Sequence, residues 1–359
     1  MNSRNIIKSI VVRGTNWVGD SIMTIPALRE LSRIFPDAEI VLHTRKWAEG
    51  IFRDADFFDR IITFEPSKWK AKDTIIQSDA LRDQKFDLAI LLPNSFESAL
   101  TARLAGIPRR IGYNKDLRGL LLTDPIAVPE WKNKRHEVYY FMNLIAEVEK
   151  RFAGTDTVLR NEPDSTLQIS EARKEEARRI LNSAGVDQAK KIIALGTGST
   201  NSRAKRWGTE SYAKLNDALQ NDLDVNVILV GSADEADIAA EVRSLSKTPA
   251  IDMTGKTSIA EAAAILSVVD LLVSNDMGLA HIAPAVGTKT AVIFGPTNPV
   301  TTRPFSDNAV IIRHEVECSP CMLRDCPIDH RCMTRISVEK VFSVCREVLT
   351  PDESDEFLK

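Results

Sequence analysis

Cysteine is scarce in this chain: five in 359 residues, all of them after Glu317. Cross-links confined to one end cannot staple a whole fold, so a disulfide framework is excluded. No uninterrupted apolar run approaches the ~20 residues that a membrane-spanning helix needs. Charge of one sign is also lacking. The 47 Lys and Arg stand against 50 Asp and Glu for a net of −3, split as +2 over residues 1–165 and −5 over residues 166–359. That balance argues against a general nucleic-acid binder, whose footprint is a strongly basic domain. The glycines form neither the GxGxxG of a dinucleotide fold nor a Walker A loop. The amino-terminal stretch MNSRNIIKSIVVRG runs into a strand pattern from Ile6 without a cleavage signal, and the chain reads as cytoplasmic.

What is present is an apolar content of 43% over a length suited to two domains. Short β-rich runs at Ile6–Val12, Ile40–Leu42, Ile61–Phe64 and Leu88–Leu92 are separated by helix-length amphipathic stretches. A helix is expected from Asp20 to Ile34, with Ile22, Ile25, Leu28, Leu31 and Ile34 on one face. Thr155–Ser170 is polar, contains Pro163 and reads as a connection. The same plan then restarts, with strands expected at Ile192–Leu195, Val225–Val230, Leu271–Val273 and Thr290–Gly295. Alternation of this kind is the mark of βαβ units and parallel sheets. The reading is therefore an α/β fold of two Rossmann-like domains, 1–165 and 166–359, facing across a cleft.

The densest chemistry lies in Leu271–Gly287, LLVSNDMGLAHIAPAVG: a strand, a polar turn and a helix start. Such a junction presents unpaired N–H groups and the positive end of a helix dipole to an anion. Asp276 would cap the helix or accept from sugar hydroxyls; Met277, Gly278 and His281 complete the segment. A second loop, Gly196–Trp207, offers glycines for close approach (Gly196, Gly198), hydroxyls (Ser199, Thr200) and cations for a diphosphate (Lys205, Arg206). A third, Arg13–Asp20, ends in a carboxylate able to act as a general base, with an N-cap as the plainer role. Asn94 and Ser95 follow the Leu88 strand, and Ser95 also suits a helix cap. Cys318, Cys321, Cys326 and Cys332, with His330 among them, are a candidate tetrahedral zinc set; free thiols or a disulfide are the alternatives. None of the cleft loops carries an Asp-x-Asp metal–nucleotide motif, so the chemistry is expected to need no metal.

Four segments together, NWVGDSIMTIPALREL (16–31), LLPNSFESALTARLAGIPRRIGY (91–113), AKRW (204–207) and SNDMGLAHIAPAVGTKTAVIFGPTNP (274–299), resemble the glycosyltransferase family of the ADP-heptose:lipopolysaccharide heptosyltransferases. The LPNSFESAL stretch is most similar to the branch that adds the second heptose of the inner core. The resemblance implies a GT-B fold and an inverting transfer of heptose from ADP-heptose. It implies an acceptor-binding amino-terminal domain, a donor-binding carboxyl-terminal domain and peripheral contact with the inner face of the inner membrane. Asp20 matches the family's proposed base, Lys205 its phosphate-binding lysine, and Asp276, Gly278 and His281 its sugar-nucleotide motif. Met277 stands where relatives usually have Ser or Thr, and Gly208 where Pro is usual. A sugar-nucleotide epimerase or a non-catalytic binding protein of the same plan are the alternatives. An inner-core acceptor carries carboxylates and phosphates, so the basic segment 103–135, with Arg109, Arg110 and Arg118, is expected to form a rim on the acceptor side.

Overall fold

The structure is a computed structural model and describes residues 7–349. The beginning of the first expected strand, at Ile6, lies outside the described residues. The chain divides into two compact units, Met1–Ser165 and Thr166–Lys359. No helix among the described residues is long and apolar enough to cross a membrane.

The first unit holds six strands: β1 (Ser9–Arg13), β2 (Glu39–Arg45), β3 (Arg60–Phe64), β4 (Leu88–Leu91), β5 (Arg109–Tyr113) and β6 (Asp124–Ile126). They order as β3-β2-β1-β4-β5-β6, every neighbouring pair parallel. β1 and β4 are buried along almost their whole length because helices cover both faces of a parallel sheet, which is why both read as unbroken apolar runs. Val11, Val41, Ala89 and Leu91 pack with Leu81, Phe86, Ala99 and Ala102 on one side. Each buried Val, Leu or Phe among them contributes about 1.5–3 kcal/mol.

The helix expected from Asp20 to Ile34 is two helices, Val18–Met23 and Ile25–Ile34. Pro26 has no N–H to give the carbonyl four residues back, so the ladder is interrupted there and restarts. Ile25, Leu28, Leu31 and Ile34 then share one buried face.

The second unit repeats the plan with β7 (Ile192–Gly196), β8 (Asn226–Leu229), β9 (Ile251–Asp252), β10 (Leu271–Asn275), β11 (Lys289–Phe294) and β12 (Ala309–Arg313). Their order is β12-β11-β10-β7-β8-β9, again all parallel. Each sheet thus reverses direction once, between β1 and β4 in the first and between β7 and β10 in the second. A doubly wound sheet opens its crevice at the carboxyl ends of those two strands. Two doubly wound parallel sheets of this kind are the GT-B plan.

Candidate functional site

In the first unit the loops leaving β1 and β4 flank the switch point. Asp20 sits in the third position of the helix Val18–Met23, partly exposed; the capping position belongs to Trp17, whose side chain makes no cap bond. The plain N-cap role for Asp20 is therefore not what the structure has. Ser95 is a cap: its hydroxyl accepts from the Ser98 N–H at 3.2 Å and opens the helix Phe96–Leu104. Asn94 is held by Tyr140, to whose hydroxyl its amide donates at 3.1 Å, and accepts from Arg118 at 3.3 Å.

Arg109, Arg110 and Arg118 do not form the expected basic rim. Arg118 is fully buried rather than exposed. Its guanidinium donates to the Tyr113 carbonyl at 2.7 Å, to the Pro93 carbonyl and to Asn94, fixing the loop after β4 from behind. Burial lowers its pKa to about 10, so it stays charged at neutral pH. Arg109 and Arg110 begin β5, where Arg109 pairs with Leu88 at the start of β4. That is the amino edge of the sheet, ~10 Å from the strand's carboxyl end at ~3.3 Å per residue. Arg110 donates at 2.8 Å to the Leu121 carbonyl, and Arg109 lies 5.0 Å over the Phe152 ring. A run of arginines so close to Asn94 in sequence is separated from it by the length of a strand.

The carboxyl edge carries other cations instead. Arg13 ends β1, is 7% exposed, lies 4.2 Å over the Phe64 ring and donates to the Gly14 carbonyl at 2.6 Å. Burial lowers its pKa to about 10, and Arg45 at the end of β2 pushes the same way. His43 beside it is buried too, and burial with the Arg13 charge holds its pKa down at about 3, so it is neutral. Arg45, Lys46, Trp47, Glu65 and Pro66 line an open pocket of about 440 Å³ beyond β2 and β3.

In the second unit the loops leaving β7 and β10 flank the switch point, and the structure brings their residues together. The Lys205 ammonium is 2.8 Å from the Asp276 carboxylate, which also accepts from the Thr297 hydroxyl at 2.7 Å. Asp276 is 4% exposed while the Lys205 side chain remains 26% exposed. Asp276 does not cap the next helix. Met277 occupies the cap position of Gly278–Ala285 and offers no side-chain acceptor. His281 is buried within that helix.

Asn275 fastens the two loops. Its amide oxygen accepts from the Trp207 N–H at 2.9 Å and the Tyr212 hydroxyl at 3.1 Å; its NH2 donates to the Thr197 and Gly198 carbonyls at 2.9 and 3.0 Å. All four bonding positions of a buried amide are filled. Gly198 has its space filled from within the chain: a Cβ there would meet the Glu235 carboxyl carbon at 2.1 Å. At Gly196 the neighbours are Ser274 and Met277. Glu235 reaches that position because it also accepts from the Ser232 N–H at 2.8 Å and, at 3.4 Å, from the Thr200 hydroxyl. Arg206 donates twice to the Ser199 carbonyl, at 3.2 and 3.0 Å, so it braces the loop. Both cations are partly exposed, and Lys205 is the one whose charged end lies beside Asp276.

Asn275, Glu235 and Thr297 were missed as site residues. Glu235 had a signal, the Ser-x-x-Glu pattern from Ser232 that marks a helix start. Asn275 and Thr297 had none beyond their place in polar turns.

The five cysteines are unpaired. Burial raises the pKa of Cys332, and the nearby thiols of Cys318, Cys321 and Cys326 add to it. The four are therefore neighbours, yet among the described residues no three His, Cys, Asp or Glu side chains are arranged to hold a metal ion.

The profile of glycosyltransferase family 9 (heptosyltransferase) matches residues 77–331. The lipooligosaccharide heptosyltransferase 2 of Campylobacter jejuni is 24% identical over 95% of this chain and 98% of its own length. The lipopolysaccharide heptosyltransferase 2 of Escherichia coli is 27% identical over 85% of this chain and 87% of its own. The solved structure of E. coli ADP-heptose lipopolysaccharide heptosyltransferase II superposes with a TM-score of 0.81 and 26% identity, covering 95% of this chain and 98% of that one. With two doubly wound sheets and polar loops gathered at both switch points, the chain belongs to glycosyltransferase family 9, the heptosyltransferases.

Proposed function

We propose that this glycosyltransferase moves a heptose from ADP-heptose to the inner core of lipopolysaccharide, onto the first heptose, with inversion at the anomeric carbon. The observation that carries the reading is the meeting of Lys205, Asp276 and Thr297 at the switch point of the second sheet. A cation held beside the uncapped start of the helix Gly278–Ala285 suits a leaving diphosphate, whose charge grows as the glycosidic bond breaks. Lys205 bears on the phosphates, with Gly278 and the Ser199–Thr200 loop beside it; Asp276 orients Lys205 and remains available to a sugar hydroxyl. Asp20 takes the proton of the attacking hydroxyl. The acceptor oxygen bonds to the anomeric carbon, the bond to the diphosphate breaks, and ADP leaves.

On the acceptor side Asn94 is the polar group presented after β4, while Ser95 shapes the turn. The cations suited to the acceptor's anionic groups are Arg45 and Lys46, where β2 ends, in place of Arg109, Arg110 and Arg118. A lipid-borne acceptor puts the reaction at a membrane surface, on its cytoplasmic face.

The test is incubation of the purified protein with ADP-heptose and a singly heptosylated core acceptor. The acceptor should gain the mass of one heptose as ADP is released in equal amount. Consumption of ADP-heptose without any acceptor would favour an epimerase, and binding with no product a non-catalytic role.

A further inference from the structure

The loop between β12 and the helix Arg331–Thr334, residues 314–330, has no regular secondary structure. It nevertheless bonds to the chain beside each half of the Lys205–Asp276 pair, at Ser202 and Ala204 before Lys205 and at Gly295 and Pro296 before Thr297. The Arg324 carbonyl accepts from the Ala204 N–H at 2.9 Å and from the Ser202 hydroxyl at 3.1 Å. His330 Nε2 lies 2.6 Å from the Ala204 carbonyl and, facing an oxygen, must carry the proton and donate. Ala204 therefore gives both its backbone groups to this loop, one residue before Lys205. On the other side the Met322 N–H donates to the Pro296 carbonyl at 2.8 Å, and the Ser319 hydroxyl to the Gly295 carbonyl at 2.6 Å. Those two residues lead directly into Thr297, the partner of Asp276.

We propose that this cysteine-bearing loop is the clamp that presents Lys205 to the donor diphosphate, with His330 as its positioning residue. The inference rests on the donor-site reading above and adds to it the element that sets donor affinity. Lys205 ends a three-residue 3-10 turn, Arg203–Lys205. So short a turn has no cooperative stability of its own and frays unless its backbone groups are held from outside. The loop supplies that hold. A lysine kept in place before the ligand arrives spares the cost of ordering it on binding. Arg203 also pairs with Asp325 at 2.6 Å, but both side chains are more than half exposed and this pair contributes little.

The test measures ADP binding to the full chain by calorimetry, with steady-state kinetics alongside. His330 has φ +57°, in the left-handed region that Asn tolerates best, so His330→Asn keeps the backbone while its shorter amide cannot reach the Ala204 carbonyl. His330→Gln restores the reach. His330→Asn should weaken ADP binding about five- to tenfold, the worth of one hydrogen bond. It should raise donor KM in step, lower kcat at saturating donor by no more than a similar factor because the same lysine faces the leaving diphosphate, and leave acceptor KM near the parent value. His330→Gln should recover most of the affinity. Lys205→Ala is run in parallel. If it weakens ADP while His330→Asn binds like the parent, the clamp is refuted and the donor site stands. If Lys205→Ala itself binds ADP like the parent, the donor reading fails and the clamp with it. Should His330→Asn melt before binding can be read, Ser319→Ala removes only the bond to Gly295 and carries the same test, with parent affinity again refuting the clamp.

Discussion

Replacing Asn275 should unfasten the donor loops, and the size of the effect follows from its four bonds. In Asn275→Ala the Trp207 N–H and the Thr197 and Gly198 carbonyls lose the partner they have in this side chain; the Tyr212 hydroxyl keeps the Gly196 carbonyl at 3.2 Å. Each buried group left unsatisfied costs about 1–3 kcal/mol, so the three together cost at least about 3 kcal/mol. For a domain of this size 1 kcal/mol corresponds to ~2–4 °C, which puts the loss of Tm at roughly 6–12 °C. Asn275→Asp is nearly isosteric and separates hydrogen bonding from packing. Its second oxygen would face two carbonyls where an NH2 now donates at 2.9 and 3.0 Å. Burial and those carbonyls would both raise the new carboxyl's folded-state pKa above its unfolded value. Stability then falls as pH rises from the unfolded pKa through the folded one, and acidification restores it, because the protonated acid can donate again. Calorimetric melts of parent, Asn275→Ala and Asn275→Asp between pH 4 and 8 read this directly. A Tm loss under about 2 °C in Asn275→Ala, or an Asn275→Asp melt parallel to the parent at every pH, would refute the fastening role.

Asp20→Asn should lower kcat by ~10²–10⁴ with ADP affinity unchanged, since a base acts only in the chemical step; single-turnover rates within about threefold of the parent would remove the assignment. Burial raises the pKa of Glu149, but hydrogen bonds from Thr157, Val158 and Thr155 outweigh it and hold the carboxyl at about 2. Stability from this group is present above the ordinary pKa of 4.5 and is lost as pH falls from there toward 2. Glu149→Gln should flatten the acid limb of the stability curve, as followed by circular dichroism. Cys318 and Cys321 are exposed, whereas burial raises the thiol pKa of Cys332 and takes Cys345 to about 12. Maleimide labelling of the folded chain should therefore reach the first two well before the last two. Protection of all of Cys318, Cys321, Cys326 and Cys332 together with about one zinc per chain would instead establish a metal site.

The parts of the fold legible in the sequence are those where local pattern and burial agree. β1, β4, β7 and β10 are the central strands, covered on both faces, and their apolar runs announce them. The loops that follow them are the ones read as chemical, and the topology explains why: all four open at the two switch points. β5 was not legible because Arg109-Arg110-Ile111-Gly112-Tyr113 starts with two arginines at the solvent-facing amino edge, so its composition reads as basic surface. β9 has two residues and β6 three, too short for alternation to show. Arg118 defeats sequence reasoning for a different reason. Nothing local to residues 115–121 tells that carbonyls of Pro93 and Tyr113 will close around its guanidinium. Its burial is decided by contacts up to 25 residues away.

The same distinction bears on what the donor site needs. A lysine suited to phosphate is easy to nominate from Ala204-Lys205-Arg206-Trp207, yet the nomination says nothing of how it is held. The structure supplies three restraints from outside that segment: Asp276 on the ammonium, Asn275 on the Trp207 N–H, and the loop of residues 314–330 on Ala204. Asp276 in turn is anchored by Thr297 and almost wholly buried, so Lys205 is oriented by a carboxylate that cannot follow it outward. A diphosphate carries more charge than one carboxylate and can draw part of the ammonium's hydrogen bonding to itself without a change in the backbone. Electrostatic stabilisation of a leaving group depends on charges that need not reorganise when the bond breaks. Segments far apart in sequence therefore hold the Lys205 motif from outside, and under the clamp proposed above the residues that set donor affinity lie in part in a cysteine-bearing loop with no regular secondary structure.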